Sequence, residues 1–156
     1  MKLLLMRHAQ AEEAKNISDL YRELTVTGVK EAEIAAEFLQ KFQIDKILVS
    51  YATRTMQTAE IIQKQIKCAK FEVCPELYAS TSEKIIEIIY EQEAQDKNIL
   101  IIAHNPGIFK AALELVEPDS PEFDKIMEEG MPTAKIIVLN FPDLHNWQNI
   151  SFYYNK

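Results

Sequence analysis

A chain of 156 residues, 47% hydrophobic and 26% charged, has the composition of a folded globular protein and excludes an intrinsically disordered one. Its 24 acidic side chains outnumber 17 basic ones, giving a net charge of −7, which argues against nonspecific nucleic-acid binding because phosphate neutralisation needs Lys and Arg in excess. Cys68 and Cys74 make neither a disulfide framework nor a metal-ligand pattern and fit a reducing, cytoplasmic setting, and the apolar run after Lys2 is too short for a signal-peptide core or a membrane span.

Length predicts one domain over residues 1–156, with no linker or internal repeat to divide it. Residues 2–6 read as a short buried strand. From Thr27, the apolar positions Val29, Ala32, Ala36, Leu39 and Phe42 recur at helical spacing. The KILV run at 46–49 is a second strand, and Met56, Ala59, Ile62 and Ile66 mark a second helix. Residues 71–74 form a third strand before Pro75, and Ile85, Ile88 and Ile89 a third helix. The run NILIIA at 98–103 is a buried strand. Asn105-Pro106 then reads as an N-cap with proline at the first helical position, opening a helix with Ile108, Ala111, Ala112, Leu115 and Val116 on one face. The acidic, proline-bearing stretch 117–130 is expected to be a solvated loop and short helix, with a place at the mouth of a site as the alternative. Residues 135–141 and 150–154 complete the pattern as strands, joined by a hairpin around 142–149.

Strands separated by helices imply crossover connections and a largely parallel sheet covered on both faces, an α/β fold. Ligands bind such sheets beyond the carboxyl ends of the strands. Three of those ends carry unusual residues. The first strand runs into Arg7-His8, the second into Ser50 with Arg54 a few residues on, and NILIIA into His104. Singly, each has an ordinary explanation as a surface arginine or a satisfied packing histidine. Arg54 is harder to dismiss, because a cation in a helix's first turn opposes the helix dipole unless an anion sits between them.

The chemistry this cluster suits is phosphoryl transfer. A neutral imidazole is a competent nucleophile at pH 7, since its ordinary pKa is about 6.5. Guanidinium groups hold phosphoryl oxygens through forked, charge-assisted contacts and stabilise the charge that spreads over them during displacement. Neither a P-loop nor a dinucleotide fingerprint occurs, because the only glycines are Gly28, Gly107 and Gly130, and no metal-ligand spacing such as HExxH is present. The expectation is an enzyme with no cofactor and no metal.

Four segments resemble the histidine phosphatase superfamily, which includes phosphoglycerate mutases and acid phosphatases. LLLMRHA is similar to its Arg-His-Gly signature, LTVTGVKEAE to its LTxxGxxQA segment, SYATRTMQTAEII to SxxxRxxQTAEII, and IIAHNPG to its second-histidine motif. They fall in the right order across residues 1–116, and the brevity of the chain together with HNPG most resembles the SixA-type phosphohistidine phosphatases. The resemblance implies a three-layer α/β/α sandwich, phosphoglycerate mutase-like, with a mostly parallel central sheet and no large cap insertions.

By the same resemblance, His8 is the nucleophile that is transiently phosphorylated, and Arg7, Arg54 and His104 form the phosphate pocket. Arg22, before Leu24-Thr25, matches an arginine at the phosphate rim; a helix-surface arginine is the alternative. Glu76 in the PEL segment is the candidate general acid, with Glu83 second and no acid at all a third possibility. Ser50 is expected to cap a helix or help orient the pocket. Ala9 replaces the usual glycine and is the place to look for backbone strain. His145, beside Trp147, reads as a surface residue of the hairpin loop.

The function expected is dephosphorylation of phosphohistidine on a protein such as a phosphotransfer domain. The alternatives are a small-molecule phosphomonoesterase and a non-catalytic module that binds phospho-ligands. The expected partners are a phosphorylated substrate and inorganic phosphate, without nucleic acid or membrane; the sequence leaves the oligomeric state open.

Overall fold

The computed structural model describes residues 2–92 and 96–140. The chain runs β1 (Lys2–Arg7), α1 (Val26–Leu39), β2 (Ile44–Val49), α2 (Thr53–Gln63), β3 (Cys68–Val73), α3 (Ser82–Tyr90), β4 (Asn98–Ala103), α4 (Gly107–Glu114), α5 (Pro121–Glu129) and β5 (Ile136–Asn140), with short 3-10 turns at Asp19–Tyr21 and Pro75–Leu77. The five strands form one sheet in the order β3-β2-β4-β1-β5. β1, β2, β3 and β4 are parallel to their neighbours, and β5 closes the sheet antiparallel to β1.

Strand geometry explains why β1 and β4 read as unbroken apolar runs. Successive side chains point to opposite faces, and here both faces are covered. Leu3 and Leu5 join a core with Ile85, Ile88 and Ile89 of α3 and Ile108, Ala111 and Ala112 of α4. Leu4 and Met6 join the opposite core with Ala32, Ala35 and Ala36 of α1 and Ala59 and Ile62 of α2. Each fully buried Leu or Ile contributes roughly 1.5–3 kcal/mol relative to exposure, so the two cores commit the sheet to one register.

Local signals set the helix starts. Thr25 caps α1 by accepting from the Gly28 amide at 2.9 Å, and Thr81 and Ser120 do the same for α3 and α5. Gly28 has a second role. A Cβ there would lie 1.9 Å from the carbonyl oxygen of Gln10, so only glycine lets α1 approach the segment that follows His8.

Several boundaries differ from the sequence reading. Phe42 and Ile66 lie past the ends of α1 and α2, yet both still pack on the core, because a chain leaving a helix continues over the same apolar face. Val29 is 37% exposed; the buried stripe of α1 runs instead through Gly28, Ala32, Ala35, Ala36 and Leu39. β3 begins at Cys68, three residues earlier than expected, where its half-polar CAKFEV sequence follows an edge strand. Asn105 is not an N-cap: α4 starts at Gly107 with Pro106 in the capping position, and the Asn105 side chain donates to the Met131 carbonyl instead. The predicted strand at 150–154, its hairpin, His145 and Trp147 lie outside the described residues. No helix among the described residues is long and apolar enough to cross a membrane.

Candidate active site

Parallel pairing aligns the carboxyl ends of β1, β4 and β2 as three neighbours: Arg7 lies opposite Ala103, and Val49 opposite Ile102. The next residue of each strand is therefore placed by the sheet itself. The His8 amide donates to the Ala103 carbonyl at 3.2 Å and the Ser50 amide to the Ile102 carbonyl at 3.1 Å, while His104 follows Ala103 directly. The rings of His8 and His104 come within 5.2 Å, centroid to centroid.

The His8 ring is fixed at both nitrogens. Nδ1 lies 2.7 Å from the Ala9 carbonyl oxygen. A carbonyl only accepts, so Nδ1 carries the proton and Nε2 keeps its lone pair. That lone pair accepts from Arg54 Nε at 3.2 Å. Arg54 sits in the first turn of α2, 5% exposed, and its other two nitrogens donate to Asp19: Nη1 to the main-chain carbonyl at 2.6 Å and Nη2 to Oδ2 at 2.9 Å. The Asp19 carboxylate also accepts from Arg22 Nη1 at 2.9 Å and from the Tyr78 hydroxyl at 3.0 Å. The anion expected near Arg54 from the helix dipole is thus supplied within the chain.

Arg7 approaches from β1, its Nη1 donating to the Met131 carbonyl at 3.0 Å. Ser50 meets the Nε2 of His104 at 2.8 Å. Arg7 Nε and His104 Nδ1 are buried and have no hydrogen-bond partner among the described residues, an arrangement that costs free energy unless a ligand oxygen answers it. Arg7, His8, Asp19, Arg22, Arg54 and His104 line a cavity of about 290 Å³, which Tyr78, Ala79 and Asn105 complete. Tyr78 stands edge-on to His104, ring centroids 5.5 Å apart. Ala79 holds the wall in a left-handed conformation, φ 51°, which costs an alanine roughly 1–2 kcal/mol.

The model of the histidine phosphatase superfamily (branch 1) matches residues 3–78. Rv1276c, an uncharacterized protein of Mycobacterium tuberculosis, is 30% identical over 139 residues, covering 86% of this chain and 85% of its own. The chain belongs to the histidine phosphatase superfamily. Among solved structures, a protein assigned as the phosphohistidine phosphatase SixA of Agrobacterium tumefaciens superposes with a TM-score of 0.84 at 27% identity, over 99% of this chain and 97% of that one. The protein histidine phosphatase SixA complexed with tungstate superposes with a TM-score of 0.79 at 25% identity, over 95% and 93% of the two chains. The mixed α/β architecture is the phosphoglycerate mutase-like fold of this superfamily.

In this histidine phosphatase the superfamily motif residues have visible physical jobs. Within the TRTMQTAEII segment, Gln57 accepts from the Leu24 amide at 2.7 Å and ties down the loop that carries Asp19 and Arg22. Thr58 accepts from the Ala9 amide at 3.1 Å and donates to the Arg54 carbonyl, linking the His8 segment to α2. Ala9 itself is fully buried and keeps a negative φ, so the strain looked for there is absent.

The structure brings Arg7, His8, Arg22, Arg54 and His104 to one cavity and leaves Glu76 out of it. Glu76, in the 75–77 turn, is exposed and pairs with Lys84 at 3.1 Å. Glu83 borders an adjoining hollow that shares Ala79, His104 and Asn105 with the cavity. Ser50 is not a helix cap, because Ala52 occupies that position; its hydroxyl is spent on His104. The acidic 117–130 segment does not line the cavity either, although Met131 just beyond it receives Arg7 and Asn105. Asp19 and Tyr78 were missed as site residues. The only available signal for Asp19 was its place three residues before Arg22; helical and strand periodicity say nothing about such a loop.

Burial, then the nearby arginines, pushes the His8 imidazole down to about 4 despite the opposing bond to the Ala9 carbonyl. Burial and the charge of Arg54 push His104 down to about 3. Both rings are neutral at pH 7. Between these values and the ordinary 6.5, the unfolded chain binds more protons than the folded one, so stability rises with pH. The stabilisation is complete above about pH 6.5 and is lost as pH falls toward 4 for His8 and 3 for His104. Urea unfolding should accordingly show a midpoint that falls steadily from about pH 6.5 to 4.5, with a shallower slope in His8→Ala; equal slopes would contradict a buried neutral His8.

Proposed function

We propose that this chain is a metal-independent phosphatase that acts through a phosphohistidine on His8 and takes protein phosphohistidine as its substrate. The observation that carries the reading is the oriented, unprotonated Nε2 of His8 beside Arg54 in a cavity walled by Arg7, Arg22 and His104. Nε2 gives up its bond from Arg54 Nε and its lone pair attacks phosphorus as the bond to the leaving group breaks, the leaving group departing with that bond's electron pair. Water then attacks the phosphoenzyme, the N–P bond breaks, its electron pair returns to Nε2, and phosphate leaves with the water-derived hydroxyl while the water's second proton passes to solvent. Positive charge for both steps comes from the guanidinium groups, with Arg7 Nε as an unpartnered donor, and His104 Nδ1 as a second one in the tautomer whose Nε2 accepts from the Ser50 hydroxyl.

Two features favour phosphohistidine over an alkyl phosphate. Asp19 is the carboxylate of the cavity wall, and its bonds from Arg22, Arg54 and Tyr78 hold it ionised, with a pKa of about 2. The wall thus offers no protonated carboxyl to an alkoxide leaving group. A departing imidazole needs none, because it can take a proton from water on its far nitrogen. The flanks of the cavity also suit a protein surface: Ile17 and Tyr21 beside Asp19, and Tyr51 against Tyr78, are 49%, 64% and 42% exposed.

The test is a comparison of kcat/KM for a phosphorylated histidine-containing phosphotransfer domain, a sugar phosphate and nitrophenyl phosphate. The phosphoprotein should exceed both small esters by at least about 100-fold, because only it combines a good leaving group with the apolar rim. A sugar phosphate in the lead would assign a small-molecule phosphomonoesterase. Tight phosphate binding with no turnover of any of the three would assign a binding module.

A further inference from the structure

A carboxylate in the wall of an anion pocket demands a reason, since its charge opposes the ligand. Asp19 lies in a stretch, residues 11–19, with no buried side chain, so the hydrophobic core does not hold it in place. Polar bonds hold it instead. Arg54 binds both its main-chain carbonyl and Oδ2, Arg22 binds Oδ1, and Tyr78 binds Oδ2. These partners come from three separate segments: the loop itself, α2, and the turn after β3.

A carboxylate placed this way could merely occupy the pocket, or it could organise it. Donor counting favours the second. A guanidinium has five N–H bonds. Arg54 uses one on His8 and two on Asp19, so two remain for a phosphoryl oxygen. Arg22 uses one on Asp19 and one, from Nε, on the Glu12 carbonyl, so three remain. Without Asp19, the Leu24–Gln57 bond still holds the loop to α2, but among the described residues no side-chain bond joins the Arg22 guanidinium to Arg54, and the buried Arg54 charge loses its counter-ion.

We infer that Asp19 is a positioning residue for phosphoryl binding: it clamps Arg54 in α2 and draws Arg22 from its loop to the same cavity, so that Arg7, Arg22 and Arg54 face one phosphoryl group. The inference rests on the phosphate-pocket reading above.

Calorimetric titration of the full chain with tungstate, a tetrahedral oxyanion, separates the possibilities. Wild type, Asp19→Asn, Arg22→Ala and the double variant are compared, each with its thermal unfolding temperature. Asp19→Asn should weaken tungstate binding at least about tenfold, and the double variant should be no weaker than about threefold below Asp19→Asn alone, because Arg22 is already released. Asp19→Glu, which keeps the charge, should fall between wild type and Asp19→Asn, and it carries the test alone if the amide variant does not fold. A purely structural Asp19 would change the unfolding temperature but give independent, multiplying losses in the cycle. Unchanged or tighter binding by Asp19→Asn, multiplying losses, or wild-type affinity in Asp19→Glu would overturn the inference. Failure of wild type to bind tungstate would overturn the phosphate-pocket reading itself.

Discussion

His8→Ala is expected to reduce phosphatase turnover by at least about 10,000-fold, since removing a covalent nucleophile disables the whole mechanism rather than one contact in it. The size of the loss follows from how completely the ring is prepared. Its Nδ1 proton is committed to Ala9, its Nε2 lone pair faces Arg54, and burial keeps it neutral at working pH. Wild type quenched in alkaline detergent during turnover of a labelled phosphoprotein should carry label on His8 that survives base and is released by acid, and the variant none. Folding should survive, because the His8 amide still bonds Ala103 and the His8 carbonyl still receives Ala134. The variant should therefore still bind tungstate through its arginines. Turnover above about 1% of wild type, or label on another residue, would remove His8 from the nucleophile's role.

The same residue shows how far a sequence can be read. The LLLM run must be buried on both faces, so it belongs inside a parallel sheet, and the residue after such a strand must surface at the sheet's carboxyl edge. NILIIA repeats the argument for His104. Both placements follow from strand periodicity and hold in the structure. Arg54 was legible for a different reason, as a cation on the wrong end of a helix. What periodicity cannot reach is the loop between β1 and α1. Past Ala9 none of its residues is buried, its shape is set by single polar bonds, and several of these join positions far apart in sequence: Asp19 to Arg54 and Tyr78, Leu24 to Gln57. Ser50 illustrates the limit from the other side. A hydroxyl at a strand end suits a helix cap or a side-chain bond equally well, and only the position of His104 in three dimensions decides between them. Glu76 fails for a similar reason: a carboxylate in the expected segment finds Lys84 on the surface before it finds the cavity.

The second large effect is expected at Arg54. Arg54→Ala should lower kcat/KM by roughly 100- to 1000-fold, the cost of removing a preorganised donor aimed at developing charge. One planar group here makes three kinds of contact: with the nucleophile, with the Asp19 main chain and with the Asp19 carboxylate. An ammonium cannot reproduce that fork, so Arg54→Lys should recover the charge but remain at least about tenfold below wild type. The loss should appear in rate more than in stability. Arg54 is the buried partner and Asp19 the exposed one, with side-chain exposures of 6% and 48%. Truncating Arg54 returns Asp19 to water, whereas truncating Asp19 leaves a cation buried without its counter-ion, the more costly outcome. Thermal unfolding run beside the kinetics should therefore place Arg54→Ala closer to wild type than Asp19→Ala. A rate for Arg54→Ala within tenfold of wild type would mean that phosphoryl charge is met elsewhere, and the reading of three arginines converging on one group would have to be given up.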